Sequence, residues 1–275
     1  MKKANAGAGG TKAGCASRMK STGKKIRVFF LGTNGWFATR TGNTVCAAME
    51  FHDRLIVLDA GDGFQHLPSL LLRLRLKRAD VFLSHLHIDH SAGLHLLPRI
   101  PRGIRIRIFA HKSYLAALRR LLSHPYTASA GEQWAKVTLH PLHTGENRLP
   151  YPVLALPLDH ADPCFGFRFS LDGKEIAYCT DTGPCKGISL LARGADALIT
   201  ECALLPGSKP LKEWPHLSPE MAAQEAAASG AHMLILTHFD AHKYPSLSLR
   251  NRAQEAARKI FPRTIAAKDG VEIKI

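Results

Sequence analysis

The sequence predicts an α/β fold, a sandwich in which two β-sheets face each other and helices cover their outer surfaces. Three observations carry this reading. Short apolar runs of strand type alternate with helical stretches from Lys25 to the C-terminus. The strand-type runs far outnumber the helical ones, which requires large sheets. No Pro/Gly/Ser-rich linker interrupts the alternation, so residues 25–275 read as one domain.

In chain order, strands are expected at 26–31, 44–51, 55–58, 81–84, 104–109, 136–140, 153–157, 165–171, 175–179, 197–200, 233–237, 264–267 and 271–275. Helices are expected at 64–76, 112–122, 188–193, 219–229 and 246–258. The fourth helix is the best punctuated. Ser218 can cap its first turn, Pro219 suits its first position, Glu220 complements the positive end of the dipole and Gly230 can end it. Residues 1–24 contain no acidic or aromatic residue and no Leu, Ile or Val, so they read as a flexible basic tail.

Composition narrows the function classes. Of 275 residues, 45% are apolar and 21% charged, which excludes wholesale disorder. Lys and Arg total 37 against 22 Asp and Glu, a net +15; removing the six cations of the tail leaves about +9. That excess is compatible with an anionic partner such as a phosphodiester or nucleic acid. No run approaches the roughly 20 apolar residues of a membrane-spanning helix, and the N-terminus lacks a secretory apolar core, so a cytoplasmic protein is expected. Six cysteines without a CxxC pair fit reduced thiols. A homodimer is compatible with the sequence.

The most informative segment is Val81-Phe-Leu-Ser-His85-Leu-His87-Ile-Asp89-His90, an apolar strand running directly into four metal-ligand side chains. If the segment is extended, His85 and His87 point the same way and can pinch one ion, while Asp89 and His90 reach a second. Other apolar runs end alike, at Asp181, Glu201 and His238. Were those strands parallel neighbours, their carboxyl ends would share one sheet edge, where α/β proteins place ligand sites. Asp59, between Leu58 and Gly61, can either orient a ligand histidine or simply stabilise a turn. Isolated histidines such as His66, His95, His111, His143 and His232 are read as surface or packing residues. Basic clusters at Arg73, Arg75, Lys77 and Arg78 and at Arg99, Arg102, Arg105 and Arg107 could guide a polyanion or be solvated faces. Trp36 and Trp214 could line a pocket or pack.

On these residues the chain resembles the metallo-β-lactamase superfamily, whose HxHxDH signature reads His85-Leu-His87-Ile-Asp89-His90 here. The likeness extends through Phe29-Phe-Leu-Gly-Thr33, Leu58-Asp59-Ala-Gly61, Leu158-Asp-His160, Thr180-Asp181-Thr-Gly183 and Thr237-His238. It implies an αββα four-layer sandwich over residues 25–275 with a binuclear site at one edge. Within the superfamily the chain is most similar to the ribonuclease Z and phosphodiesterase branch, through His160 with Cys164-Phe-Gly-Phe-Arg168 and through Gln65-His66 after Asp59. The resemblance implies one ion on His85, His87 and His160, another on Asp89, His90 and His238, and Asp181 between them. His216 resembles that branch's additional catalytic histidine, with Glu201 orienting it. The long arm with which ribonuclease Z grips transfer RNA is missing, since only residues 169–180 separate the FGFR-like strand from the Thr180-Asp181 motif.

The expected reaction is hydrolysis of a phosphodiester, small or nucleic-acid-derived, with RNA or a cyclic nucleotide as candidate substrates. Two divalent ions, zinc by its ligand set with manganese or iron(II) as competitors, would activate water for in-line attack on phosphorus. Asp89 would orient that water and His216 would assist the departing oxygen. The alternatives are a lactone, ester or thioester hydrolase on the same ions and a noncatalytic nucleic-acid-binding protein.

Overall fold

The computed structural model describes residues 25–128, 135–209 and 213–275, and in it the apolar runs pair into two seven-stranded sheets. The predicted tail at 1–24 lies outside the described residues. In the first sheet the order is Glu272–Lys274, Arg27–Gly32, Cys46–Phe51, Arg54–Leu58, Arg78–Phe82, Arg105–His111 and Lys136–Leu142. The second sheet runs Thr264–Ala266, Leu234–Thr237, Ala197–Glu201, Lys174–Cys179, Phe165–Leu171, Pro152–Pro157 and Gly145–Arg148. All thirteen predicted strands are present within a few residues. The polar strand Gly145–Arg148 and the two-residue strands Asn34–Gly35 and Phe239–Asp240 had no apolar pattern to announce them.

Three apolar layers hold the sandwich. Between the sheets lie Phe30, Met49, Ile56, Phe82, Phe167, Phe169, Tyr178 and Ile235. Outside the second sheet, Leu198, Leu234 and Leu236 meet Ile188, Leu191, Ala222, Ala226, Ala253 and Ala257 of the helices Lys186–Ala192, Pro219–Ser229 and Leu247–Arg258. Outside the first, Val57, Val81, Ile106 and Ile108 meet Leu67, Leu70, Leu71 and Leu118. The architecture is therefore helix, sheet, sheet, helix, as predicted. Small Ala faces on Pro219–Ser229 and Leu247–Arg258 let those helices pack closely. Ser218 caps the former through Met221 N, and Gly230 closes it at φ 67°. The predicted helix at 64–76 divides into a 3-10 turn, Asp62–His66, and the α-helix Leu67–Leu74, because Pro68 suits a first turn. No helix among the described residues is long and apolar enough to cross a membrane.

In the first sheet, Arg54–Leu58 through Lys136–Leu142 run parallel; in the second, Lys174–Cys179, Ala197–Glu201, Leu234–Thr237 and Thr264–Ala266 do so. Their carboxyl ends carry Asp59, the His85–His90 segment, Asp181, Glu201 and His238 to one rim.

At the opposite end, Asp80 is buried between the sheets and accepts hydrogen bonds from Arg107 Nε (2.7 Å) and Nη2 (2.6 Å), Tyr151 Oη (2.7 Å) and Arg54 Nη1 (3.1 Å). Burial alone would raise this carboxyl, but Arg107 and Tyr151 hold it below the usual carboxylate value. A depressed folded-state pKa contributes stability that is present above the unfolded value and lost as pH falls through the folded one. Asp80→Asn should therefore cost about 3 kcal/mol at pH 7 by leaving two guanidinium groups poorly compensated. Urea unfolding should show that deficit shrinking as pH falls below about 4, where Asp80 of the unfolded chain takes up a proton, and disappearing once pH passes the lower folded-state value.

Candidate metal centre

The strand Arg78–Phe82 delivers Ser84 and His85 to the rim, and a short helix, Ile88–Ser91, begins immediately after His87. The segment is therefore not extended throughout, as the spacing argument assumed. The helical turn swings Asp89 and His90 inward together, and His90 becomes wholly buried. From the second sheet, Asp181 lies two residues past Cys179, and His238 follows Thr237 directly.

Two groups of side chains converge. His85, His87, His160 and Asp181 offer ligand atoms within 4.8 Å of one another, and so do Asp89, His90 and His238. The His85 ring lies 4.5 Å from that of His87 and 4.7 Å from that of His160. Asp181 stands between the groups, with Oδ2 3.3 Å from both His85 Nε2 and His90 Nε2 and Oδ1 2.9 Å from His238 Nε2. All seven residues expected to bind metal are thus brought together.

The atoms left over fit a cation. His90 Nε2 and His238 Nε2 face each other at 3.0 Å with Asp89 Oδ2 3.4 Å from the latter. Buried His85 Nε2 and Asp181 Oδ1 approach Asp181 Oδ2 and His238 Nε2 respectively but at angles that make no hydrogen bond, an expense that native interiors avoid unless something else binds there. Burial, reinforced by nearby His90, lowers His85 to about 4, so its ring is neutral and its lone pair free. His238 moves the other way: burial lowers it, but the Asp181 and Asp89 carboxylates push it up to about 10. His90 is likewise raised by Asp181, Asp59 and Asp89 against the effect of burial. The same negative field that would hold protons on these rings favours a divalent ion in their place.

The ligand rings are oriented from behind. Asp59 Oδ2 lies 2.9 Å from His90 Nδ1, and the same wholly buried carboxylate accepts from Ser84 N, Ser84 Oγ, Tyr178 Oη and Thr180 Oγ1. Of the two readings of Asp59, the orienting one matches this geometry. Ser84 Oγ also reaches His85 Nδ1 at 3.0 Å. Asp162 Oδ2 lies 3.0 Å from His87 Nε2, and Trp36 N donates to Asp89 Oδ2 at 2.7 Å. Sequence reasoning missed Ser84, Tyr178, Thr180, Asp162 and the Trp36 amide, since backbone groups and single polar side chains carry no periodic signal.

A backbone signature accompanies the site. Trp36, Asp59, Asp181 and His238 all have positive φ, at 76°, 57°, 52° and 49°, in a region that non-glycine residues seldom occupy. Such strain gathers where function demands a fixed geometry. Gly35 is required for another reason: a Cβ there would sit 2.5 Å from His238 Cε1. Its loop is tied down by buried Arg250, which donates to Thr33 and Asn34, and by Asp269, which accepts from Thr33 and Asn43.

A cavity of about 350 Å³ opens over these residues, walled by Trp36, Ile88, Trp214 and His216. Trp36 and Trp214 are more than half exposed there, so they line the cavity instead of packing in the core. Buried Glu201 Oε1 lies 2.9 Å from His216 Nδ1, and the carboxylate is itself fixed by the Thr182 amide at Oε1 and the Ala203 and Leu217 amides at Oε2. Burial lowers the His216 imidazole, but Glu201 outweighs it and raises the group overall. His66 contacts Asn43, His95 bonds Ala92 O, and His232 is exposed; none joins the cluster.

Comparison with known proteins agrees with this geometry. A family model described as beta-lactamase superfamily domain matches residues 54–239, the span from the strand before Asp59 to the residue after His238. The chain belongs to the beta-lactamase superfamily. Among its relatives is a protein named ribonuclease Z from Nostoc punctiforme, 30% identical over 89% of this chain and 94% of the relative. A ribonuclease Z from Acaryochloris marina is 28% identical over 91% of this chain and 98% of its own length, in an alignment of 318 residues. That relative therefore carries several tens of residues that this superfamily member lacks. Among solved structures, the metallo-beta-lactamase fold protein YhfI from Bacillus subtilis superposes with a TM-score of 0.75 at 19% identity, over 92% of this chain and 100% of that one. The short form of human tRNase Z gives a TM-score of 0.68 at 24% identity, over 90% and 98%. The fold of this superfamily member is thus shared with both.

Asp59→Asn should lower metal affinity about 10- to 100-fold, measured by competition with a chromophoric chelator, with the circular-dichroism spectrum retained. Gly35→Ala should have a comparable effect by displacing the His238 ring. Unchanged affinity in both variants would show that the ligand rings need neither support.

Proposed function

We propose that this protein is a binuclear metal-dependent phosphodiesterase. One ion would be held by His85, His87 and His160 and the other by Asp89, His90 and His238, with Asp181 placed to serve both. Imidazole and carboxylate donors in this ratio suit zinc, with manganese and iron(II) as competitors for the same atoms. Two divalent ions bound there would supply Lewis acidity toward a phosphoryl oxygen and make a water molecule acidic enough to attack near neutral pH.

The protein's own groups do the rest. Asp89, held by the Trp36 amide, accepts a hydrogen bond from the attacking water and orients it toward phosphorus. The observation that carries the phosphodiester reading is His216. Its Nδ1 is engaged by a buried carboxylate, it lines the cavity, and with Glu201 and Asp181 it forms a cluster of ligand-type atoms within 4.8 Å. Glu201 favours the protonated imidazole, so Nε2 can give its proton to a departing alkoxide. The net +15 charge and the ribonuclease Z relatives support an anionic, nucleotide-containing substrate.

The substrate is held without the transfer-RNA arm. Phe165–Leu171 and Lys174–Cys179 form a hairpin closed by Asp172 and Gly173, both at positive φ, 49° and 81°, as a type I′ turn requires. Two residues leave no room for an inserted arm there. RNA fragments or a cyclic nucleotide entering the 350 Å³ cavity fit this arrangement better than a gripped transfer-RNA precursor.

Hydrolysis of bis-(p-nitrophenyl) phosphate should be abolished by chelation and by Asp181→Ala. His216→Ala should separate substrates by leaving group. On a dinucleoside phosphate, whose alkoxide needs a proton, kcat should fall about 10²- to 10⁴-fold. On the p-nitrophenyl diester, whose phenolate leaves unaided, the loss should be only a few-fold. Equal losses on both would remove His216 from the acid role, and turnover confined to lactones or thioesters would overturn the phosphodiesterase reading.

A further inference from the structure

The strands that deliver the metal ligands begin, at their amino ends, in a second cavity of about 370 Å³. Arg54, Arg78, Arg105 and Lys136 are the first residues of four consecutive parallel strands, and all four line it. The register places Arg78 opposite Arg105 and Arg105 opposite Lys136, so these three side chains project from one face of the sheet. Arg107, two residues along its strand, projects from that face too. Five cations thus share a cleft with Asp80, while Asp53 stands beside it.

Charge pairing is uneven. Asp80 is occupied by Arg54 and Arg107, and Asp53 by Arg54 and Arg78. Among the described residues no carboxylate pairs with Arg105 or Lys136, and both are exposed. The pairing of Asp80 fixes Arg107 and Arg54 in place, which preorganises the floor of the cleft. Adjacent strands lie about 4.8 Å apart, so the row Arg78, Arg105, Lys136 spans about 10 Å. A nucleic-acid strand carries one charge per about 3.4 Å of helix axis, so a row of about 10 Å runs alongside about three such intervals and exceeds the reach of one phosphate. No aromatic side chain lines the cleft among the described residues, so it offers nothing on which a base could stack.

We propose that this cleft binds the phosphate backbone of a single-stranded nucleic acid through Arg78, Arg105 and Lys136. It lies about 20 Å from the metal rim, the length of the strand Arg78–Phe82 and the turn to His85. It would position a chain without reading its sequence. Binding here does not depend on the metal centre, so the two proposals stand or fall separately.

The test uses full-length protein treated with chelator, so that binding is read without turnover. Fluorescence anisotropy with a labelled oligoribonucleotide of about 12 nucleotides should show Kd rising at least about tenfold in Arg105→Glu/Lys136→Glu. Its dependence on salt should flatten by about 1.4 in log–log slope, the value for two lost phosphate contacts on a single strand. The milder Arg105→Gln/Lys136→Gln should weaken binding by about threefold or more. Arg252→Glu/Lys259→Glu, an equal charge change at exposed positions on and just past the last helix, should shift Kd less than about threefold. Turnover of bis-(p-nitrophenyl) phosphate by the untreated proteins should match wild type in all three. Equal weakening by the cleft and control variants would mean bulk charge, no weakening by the cleft variants would place binding elsewhere, and displacement of the RNA by inorganic tripolyphosphate at matched phosphate concentration would mean a small-anion site. Each of these results overturns the proposal.

Discussion

Three carboxylates, Asp59, Asp89 and Asp181, converge on a knot of imidazoles at the rim shared by both sheets, and their charge must be balanced there. Asp59 and Asp181 are buried, and water cannot screen them. Protonating His90 and His238 is one solution, and a pair of divalent ions is the other. The second also satisfies the Asp181 and His85 atoms that no hydrogen bond reaches. Much of the surrounding structure can be understood as holding this arrangement together.

The sandwich supplies the rim. Parallel strands from both sheets release their carboxyl ends at one edge, so ligands far apart in sequence meet without long connections. The backbone then bends through left-handed conformations at Asp59, Asp181 and His238, one for each of three strand ends. Gly35 brings its loop against the His238 ring, and Arg250 and Asp269 brace that loop from beneath. Four of the left-handed non-glycine residues gather at the rim, while those at His52, Arg75 and Asp172 sit in ordinary turns and a helix end, and the three apolar layers carry the stability.

Much of this was legible in the sequence, for identifiable reasons. Strands buried on both faces leave continuous apolar runs, and all the predicted ones formed. The four candidate ligands His85, His87, Asp89 and His90 fall within six residues, so their chemistry could be read from spacing. Asp181 and His238 are scattered singly but showed as polar ends of apolar runs, whereas His160, and the assignment of all three to particular ions, became readable only through the resemblance to a family. Supporting groups were not readable at all: the Trp36 amide has no side-chain identity, and Ser84 or Tyr178 looks like any strand residue. The short helix Ile88–Ser91 was hidden because four residues show no period. The basic clusters, read by adjacency as either polyanion guides or solvated faces, regroup in the fold. Arg73 packs over Phe29 while Arg78 joins Arg105 and Lys136, grouped by strand register and not by neighbourhood in sequence.

The most direct test of the central claim is anomalous X-ray scattering at the zinc edge from crystals of the protein purified with zinc. Two peaks about 3.5 to 4 Å apart are expected, one among His85, His87 and His160 and the other among Asp89, His90 and His238, with Asp181 between them. A rim without anomalous signal, or a single peak outside these residues, would contradict the account.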